Sequence, residues 1–402
     1  MVKKAIQKLL KRRHFWRSVS FDELSELYAS EFLRTLAMSV IGIFVPIYLY
    51  KLGYDLTAIF AMQVIWAASR PLFTLIAAKA IAVLGPKHSM ALGTAVQMVY
   101  LGVLVTIDSV HWPLALLSIL GSLSYALFGI ALMVDFSKVK HTEHGGKEIS
   151  FITICGRVGA SIGPLVGGVV ASFINPKATI VIALAILASS LVPLFKSAEP
   201  IKTKQSITIK GFPWRRHKRD FISAFFFGVE NIVSIVIWPL FIALAIFQTN
   251  TYAAIGLLVS IGTAASLVAI YLIGKKIDDH KGGILFKTGV IINSFIHLVR
   301  PFVVTPIQAI SVSLLNEPVS ASYQMPYMKG LYDASDSVPG YRIVYLTLID
   351  NFRMLGLLLF WGGAFIASLF ITNDISILKA MFIVGAVASL GILSQRFAAL
   401  KS

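Results

Sequence analysis

The chain has 402 residues, 57% of them hydrophobic and only 14% charged, with a mean hydropathy of +0.80. A soluble chain of this length needs far more polar surface, which excludes a soluble enzyme or binding module. The net charge of +17 does not point to nucleic acid, because no polar segment is long enough to form a basic module with its own core. The single Cys155 rules out an internal disulfide and leaves no support for a cysteine-built metal site.

The chain opens with a basic stretch, MVKKAIQKLLKRRHFWR, in which Ile6, Leu9 and Leu10 face many lysines and arginines. This pattern predicts an amphipathic segment, residues 1–27, lying on an anionic cytoplasmic leaflet. It lacks the compact apolar core and small-residue cleavage site of a signal peptide. Apolar runs of about 20 residues then recur, the length a helix needs to cross a bilayer. Twelve such runs fit, at roughly 28–50, 56–79, 89–108, 113–137, 149–173, 177–195, 220–247, 252–274, 284–303, 306–328, 342–370 and 375–395. The longest polar break, residues 196–219, reads as a linker between bundles at 28–195 and 220–396, with a short tail at 397–402. The predicted fold is all-α and polytopic, two pseudo-symmetric bundles of six transmembrane helices each.

Charge sets the orientation. Of 36 Lys and Arg, about 28 fall in the even-numbered loops and the termini. Lys51, Lys177 and Lys379 lie on the other side, and Arg34, Arg70, Arg157, Arg300 and Arg353 lie inside spans. Positive charge stays in the cytoplasm, so both termini are expected there.

The two halves repeat. AKAIAVLGPKHSMALG at residues 78–93 answers GKKIDDHKGGILFKTG at 274–289, both in the link after a half's second helix. RVGASIGPLVGG starts at Arg157 and RMLGLLLFWGG at Arg353, each with a Gly-Gly pair about ten residues on. Pro46 and Pro239 fall in the first helix of each half.

With these motifs the chain resembles a major facilitator superfamily transporter. The loop motif of that family, Gly–three residues–Asp–Gly-basic, is partly kept as Gly274 and Asp278; the first copy has Ala78 and Ala82 there, with only Gly85 and Lys87 remaining. The fifth-helix motif is intact as Gly159, Gly163, Pro164, Gly167 and Gly168 and resembles that of antiporters. Glycines at that spacing let another backbone come close, which suits an interface between moving bundles. The fourth helix, LALLSILGSLSYALFGIALMVDF, lacks the arginine of the family's proton antiporters.

Ionisable residues inside a membrane cost at least about 2.5–3.5 kcal/mol each and mark sites. Near the ends, Glu31 and Arg34 are three apart and can pair locally or gate, Asp135 closes the fourth helix, and Arg300 is expected to snorkel outward with His297 nearby. The deep set is Arg70, Arg157, Glu230, Glu317, Asp350 and Arg353. Asp350 and Arg353, three apart, can neutralise each other or join a wider charge network. The resemblance implies that helices 1, 4, 7 and 10 line a central cavity. Glu230 and Glu317, with Asn231, Asn316, Tyr125, Tyr323 and Gln324, are then the candidates for binding solute or ion; Tyr48, Gln63 and Trp238 could add to the lining. Arg34, Arg70, Asp135, Arg157, Asp278, Asp350 and Arg353 are candidates for a charge network that exchanges partners between access states.

No Walker A, HExxH or GxSxG sequence occurs, so no ATPase, metalloprotease or hydrolase chemistry is expected, and no cofactor or metal. The resemblance implies a monomeric secondary transporter of a small organic solute working by alternating access, coupled to a proton or other ion, with export of amphiphiles one possibility. An uncoupled facilitator or symporter of a polar metabolite stays open, with a membrane sensor or channel behind it.

Overall fold

The computed structural model describes residues 21–139, 145–195, 208–247, 251–278, 282–338, 340–397 and 400. The basic segment at the start and much of the 196–219 linker lie outside the described residues, as does the side chain of Asp278. All regular structure among the described residues is helical. The spans are α1 (Ser25–Lys51), α2 (Leu56–Leu84), α3 (Pro86–Val105), α4 (Leu114–Val139), α5 (Gly145–Phe173) and α6 (Pro176–Leu194) in the first half. The second half has α7 (Trp214–Ala245), α8 (Thr251–Asp278), α9 (Gly282–Phe302), α10 (Pro306–Asp336), α11 (Arg342–Phe370) and α12 (Asp374–Ser394). Ten of these are long and apolar enough to cross a membrane on composition alone. The other two are α8 and α10, and α10 is interrupted by Asn316, Glu317 and Gln324.

Chain reversals at the end opposite the basic loops are short because helices start there on side-chain caps. Asp55, Asn175 and Asn373 each accept a hydrogen bond from a backbone N–H three residues on, at 2.7, 2.7 and 3.0 Å. Thr305 and Gln308 form a reciprocal capping box at the start of α10. Lys177 and Asp108 pair at 2.7 Å on the same side, and the hydrogen bond from Lys177 holds the Asp108 carboxyl below its usual range.

At the basic end the helices overrun the apolar windows. Helix starts at Phe21, α2 ends at Leu84 and α10 at Asp336, several residues past the sequence estimates. Apolarity marks where lipid stops, whereas capping marks where a helix stops. Gly85, at φ +92°, ends α2 in a conformation L side chains avoid.

The two halves break their first helices at matching places. α1 passes through a tight 3-10 turn at Gly42–Phe44 just before Pro46. α7 passes through a wide π turn at Val233–Ile237 just before Pro239. A proline supplies no backbone N–H, so the regular hydrogen-bond ladder gives way there.

The glycine motif of α5 packs two faces at once. A Cβ on Gly159 would sit 2.8 Å from the Phe32 carbonyl oxygen, and one on Gly163 would sit 2.5 Å from the Ser39 Cβ. On Gly167 it would overlap the Val40 carbonyl, so these three glycines seat α5 on α1 within the first half. Gly168 turns the other way, toward the Tyr252 carbonyl of α8, while Gly256 of α8 faces the Pro164 carbonyl. The repeat is not equivalent in the second half. Gly362 and Gly363 meet nothing within 4 Å, and Gly228 and Gly356 instead bring α7 and α11 into backbone contact. The two halves meet along α5–α8 and along α2–α11.

Candidate functional site

A cavity lies between the halves, in two joined lobes. The first, about 490 Å³, is walled by α1, α4, α5, α7, α8 and α10; the second, about 570 Å³, by α1 to α4 and α7. Glu31, Thr35, Ser39 and Leu132 line both. Aromatic contacts between halves bound the space. Phe136 and Tyr332 meet at 5.5 Å at the basic end. Phe44 meets Tyr252 at 5.5 Å and Phe60 meets Trp361 at 5.7 Å at the other end, where the Tyr50 hydroxyl also donates to Asp374 at 3.0 Å.

Among the described residues, the ion pairs Arg157–Glu317 and Arg70–Asp350 tie one half to the other. Arg157 of α5 reaches Glu317 of α10 at 2.8 Å and also donates to the Gln324 side chain at 3.1 Å. Both charged side chains keep 23% exposure and line the first lobe, so solute and water can reach them. Arg70 of α2 reaches Asp350 of α11 at 3.0 Å, with both side chains buried. It also donates to the Ser122 carbonyl at 3.2 Å, and its guanidinium lies 5.5 Å from the Trp66 ring and 5.9 Å from that of Tyr125. One turn on, Thr74 donates to Asn351 at 2.6 Å, a cross-half contact with no warning in the sequence.

The buried pair is structural in its energetics. Removing one partner of such a pair strands a charge in low dielectric and costs about 3–5 kcal/mol. Arg70→Ala is therefore expected to lower the melting temperature strongly, whereas replacing both residues by apolar ones of similar volume recovers most of the loss. Melting curves of the single and double variants check this; equal losses in both would contradict it.

Several residues sit elsewhere than the sequence implies. Asp350 does not pair with Arg353, because the helix turns the carboxylate toward α2. Arg353 instead places its guanidinium 5.1 Å from the Phe227 ring, and its Nε and Nη2 have no hydrogen-bond partner. Arg34 does not pair with Glu31. It donates to Thr94 and Ser124, both at 3.2 Å, and covers the Phe128 ring at 3.9 Å, all within the first half. Asp135 is fully buried in α4.

Glu230 and Tyr323 are off the cavity wall and fully buried in the second half. Each residue of a helix is rotated about 100° from the last, so Asn231 and Gln324 face the cavity while their neighbours do not. Glu230 accepts hydrogen bonds from Asn293 at 3.0 Å and Ser234 at 3.1 Å, and lies 3.4 Å from His297 Nε2. Arg300 does not snorkel. It is fully buried, donates to His297 Nδ1 at 3.0 Å and stacks 5.0 Å from the Trp238 ring. With Nδ1 accepting, His297 presents Nε2–H to Glu230.

Asn231, Asn316, Glu317, Gln324 and Trp238 line the first lobe, and Gln63 and Tyr125 the second. Tyr48 is buried and lines neither. Sequence reasoning missed the buried pair of Glu26 with Lys87, at 3.0 Å. Lys87 stood in the loop motif, but Glu26 lay before the estimated start of the first span. It also missed Asp220, which bonds His217 at 2.8 Å and Tyr345 at 3.2 Å at the basic end of α7.

Comparison with known proteins agrees with this architecture. The family model described as Major Facilitator Superfamily matches residues 27–316. No curated protein matches the chain. Among solved structures, a mutant of the nucleoside transporter NupG superposes with a TM-score of 0.67 at 13% identity, covering 94% of this chain and 100% of that one. The human organic anion transporter MFSD10 (TETRAN) superposes with a TM-score of 0.65 at 12% identity, covering 92% of this chain and 98% of that one. At such identities the likeness carries the fold.

Proposed function

The chain belongs to the Major Facilitator Superfamily, a multi-pass membrane transporter of solutes, and we propose that it works by alternating access with an ion coupled through Glu317. The observation that carries this reading is the Arg157–Glu317 pair: it joins the two halves at 2.8 Å and faces the cavity. Residues 28–195 and 220–396 are the two bodies, joined by 196–219, and they rock about the cavity. A proton or a cationic solute arriving at Glu317 competes with Arg157 for the carboxylate. Displacing Arg157 breaks the α5–α10 link and lets the bundles leave that access state, and re-forming the pair completes the return.

The intact fifth-helix motif supports antiport, and the largely apolar wall of the second lobe supports an amphiphilic solute. The substrates named for the two structural neighbours, nucleosides and organic anions, differ from each other. Both termini belong in the cytoplasm by the loop charges. The rival reading is an uncoupled facilitator in which Arg157 and Glu317 form a passive latch.

Reconstitution in liposomes with an internal pH dye, across a panel of solutes, separates the two. Coupling at Glu317 predicts solute-dependent proton movement in the wild type that Glu317→Gln abolishes. Solute flux without proton movement, unchanged in Glu317→Gln, would leave the facilitator.

A further inference from the structure

Two carboxylates line the cavity, and among the described residues only Glu317 makes an ion pair. Glu317 is held by Arg157. Glu31, half-buried where the two lobes join, makes no ion pair among the described residues. Its carboxylate accepts a hydrogen bond from the Thr35 hydroxyl at 3.1 Å. Arg34, the local candidate, is turned into the first half by Thr94, Ser124 and Phe128 and keeps only 5% exposure. Opposite Glu31, α5 presents no side chain: a Cβ on Gly156 would be 3.7 Å from Glu31 Oε1, so the glycine leaves the carboxylate uncovered. Glu31 and Glu317 face the first lobe beside Arg157, while Arg34 lines the second lobe with Glu31.

The second lobe begins at the same carboxylate and is built for an apolar body. Met38, Met62, Trp66 and Tyr125 line it beside the largely covered Arg34, and Trp66 and Tyr125 meet edge to face at 6.1 Å. Aromatic faces and thioethers accept the flanks of an organic cation well. A space of about 570 Å³ lies in the range of small-molecule sites.

We propose that Glu31 receives the charged head of a monovalent organic cation, a protonated or quaternary amine or its phosphonium analogue, whose aromatic or branched apolar body fills the second lobe. The proposal rests on the cavity being the solute site and names the solute class; it does not require coupling at Glu317.

The test is equilibrium binding to the purified full chain, with no gradient, so that it is independent of coupling. The probes are tetraphenylphosphonium, the smaller benzyltrimethylammonium, and tetraphenylborate, which has the shape of the first and the opposite charge. The expected result is that a cation binds at least about tenfold more tightly than tetraphenylborate. Glu31→Gln is expected to weaken that binding by about tenfold and Glu31→Asp by less, while Glu317→Gln leaves a measurable cation site. The charge comparison uses only wild-type protein, so it stands even where Glu31→Gln fails to fold. Equal affinity for the two shape-matched ions, failure of both cations to bind, or unchanged affinity in a folded Glu31→Gln chain would each overturn the proposal. Loss of proton movement in Glu31→Gln with no cation binding would make Glu31 a proton site, overturning this inference while leaving a coupled transporter. Cation binding without coupled flux would do the reverse.

Discussion

Replacing Arg157 by alanine is expected to cut solute exchange at least about tenfold while changing the melting temperature little. The two halves of that expectation have different causes. At 23% exposure the Arg157–Glu317 pair is screened by cavity water, so its loss costs little stability. Its place, however, is the contact between α5 and α10, where the bundles must part and rejoin in each cycle. Without the guanidinium, Glu317 has no fixed partner on the first half, and the two access states lose the contact that distinguishes them. The charge-swapped double variant, Arg157→Glu with Glu317→Arg, rebuilds the pair with its polarity reversed and is expected to recover part of the exchange. Counterflow in liposomes, read beside melting curves, checks both. Wild-type exchange in Arg157→Ala would remove the pair from the mechanism. The Arg70–Asp350 pair differs: it is buried, and its loss should be read in stability first.

The sequence carried the spans well, because a bilayer forces every spanning segment into a long apolar run, and the loop charges are equally plain. It carried the α5 motif too, because glycine spacing is a local property. What it could not carry was which side chains meet across helices. Asp350 and Arg353 are three apart, and spacing alone makes them partners; the rotation of α11 against α2 gives Asp350 to Arg70 instead. Glu230 and Asn231 have the same depth and adjacent numbers, yet one turn angle separates cavity from core. Arg300, near a helix end, looked able to reach the interface, but Trp238 and His297 hold it inside. Glu31 was legible as a charge, whereas its lack of an ion pair depends on Arg34 giving its hydrogen bonds to Thr94 and Ser124. Depth follows from counting residues; facing depends on tertiary packing.

The α5 glycines allow one chemical change to be read in two ways. Gly167→Ala places a Cβ against the Val40 carbonyl, inside the first half. Both access states contain that contact, so the strain, about 1–3 kcal/mol for an overpacked site, falls on folding and lowers the melting temperature. Gly256→Ala places the same methyl against the Pro164 carbonyl, across the α5–α8 contact between halves. There the strain falls only on the state in which that contact is closed. About 1.4 kcal/mol of such differential strain shifts the balance of states tenfold. Gly256→Ala is thus expected to favour the state open at the end opposite the basic loops and to slow exchange. In a Cys155→Ala background, spin labels at Lys51 and Asn373, beside the Tyr50–Asp374 contact, report the opening of that end. A longer label separation in Gly256→Ala, and an unchanged one in Gly167→Ala, would assign the two faces of one helix to two jobs, one holding a bundle together and the other letting the bundles part. An unchanged separation in both would mean that the halves part without breaking the α5–α8 backbone contact, with α2–α11 as the moving seam.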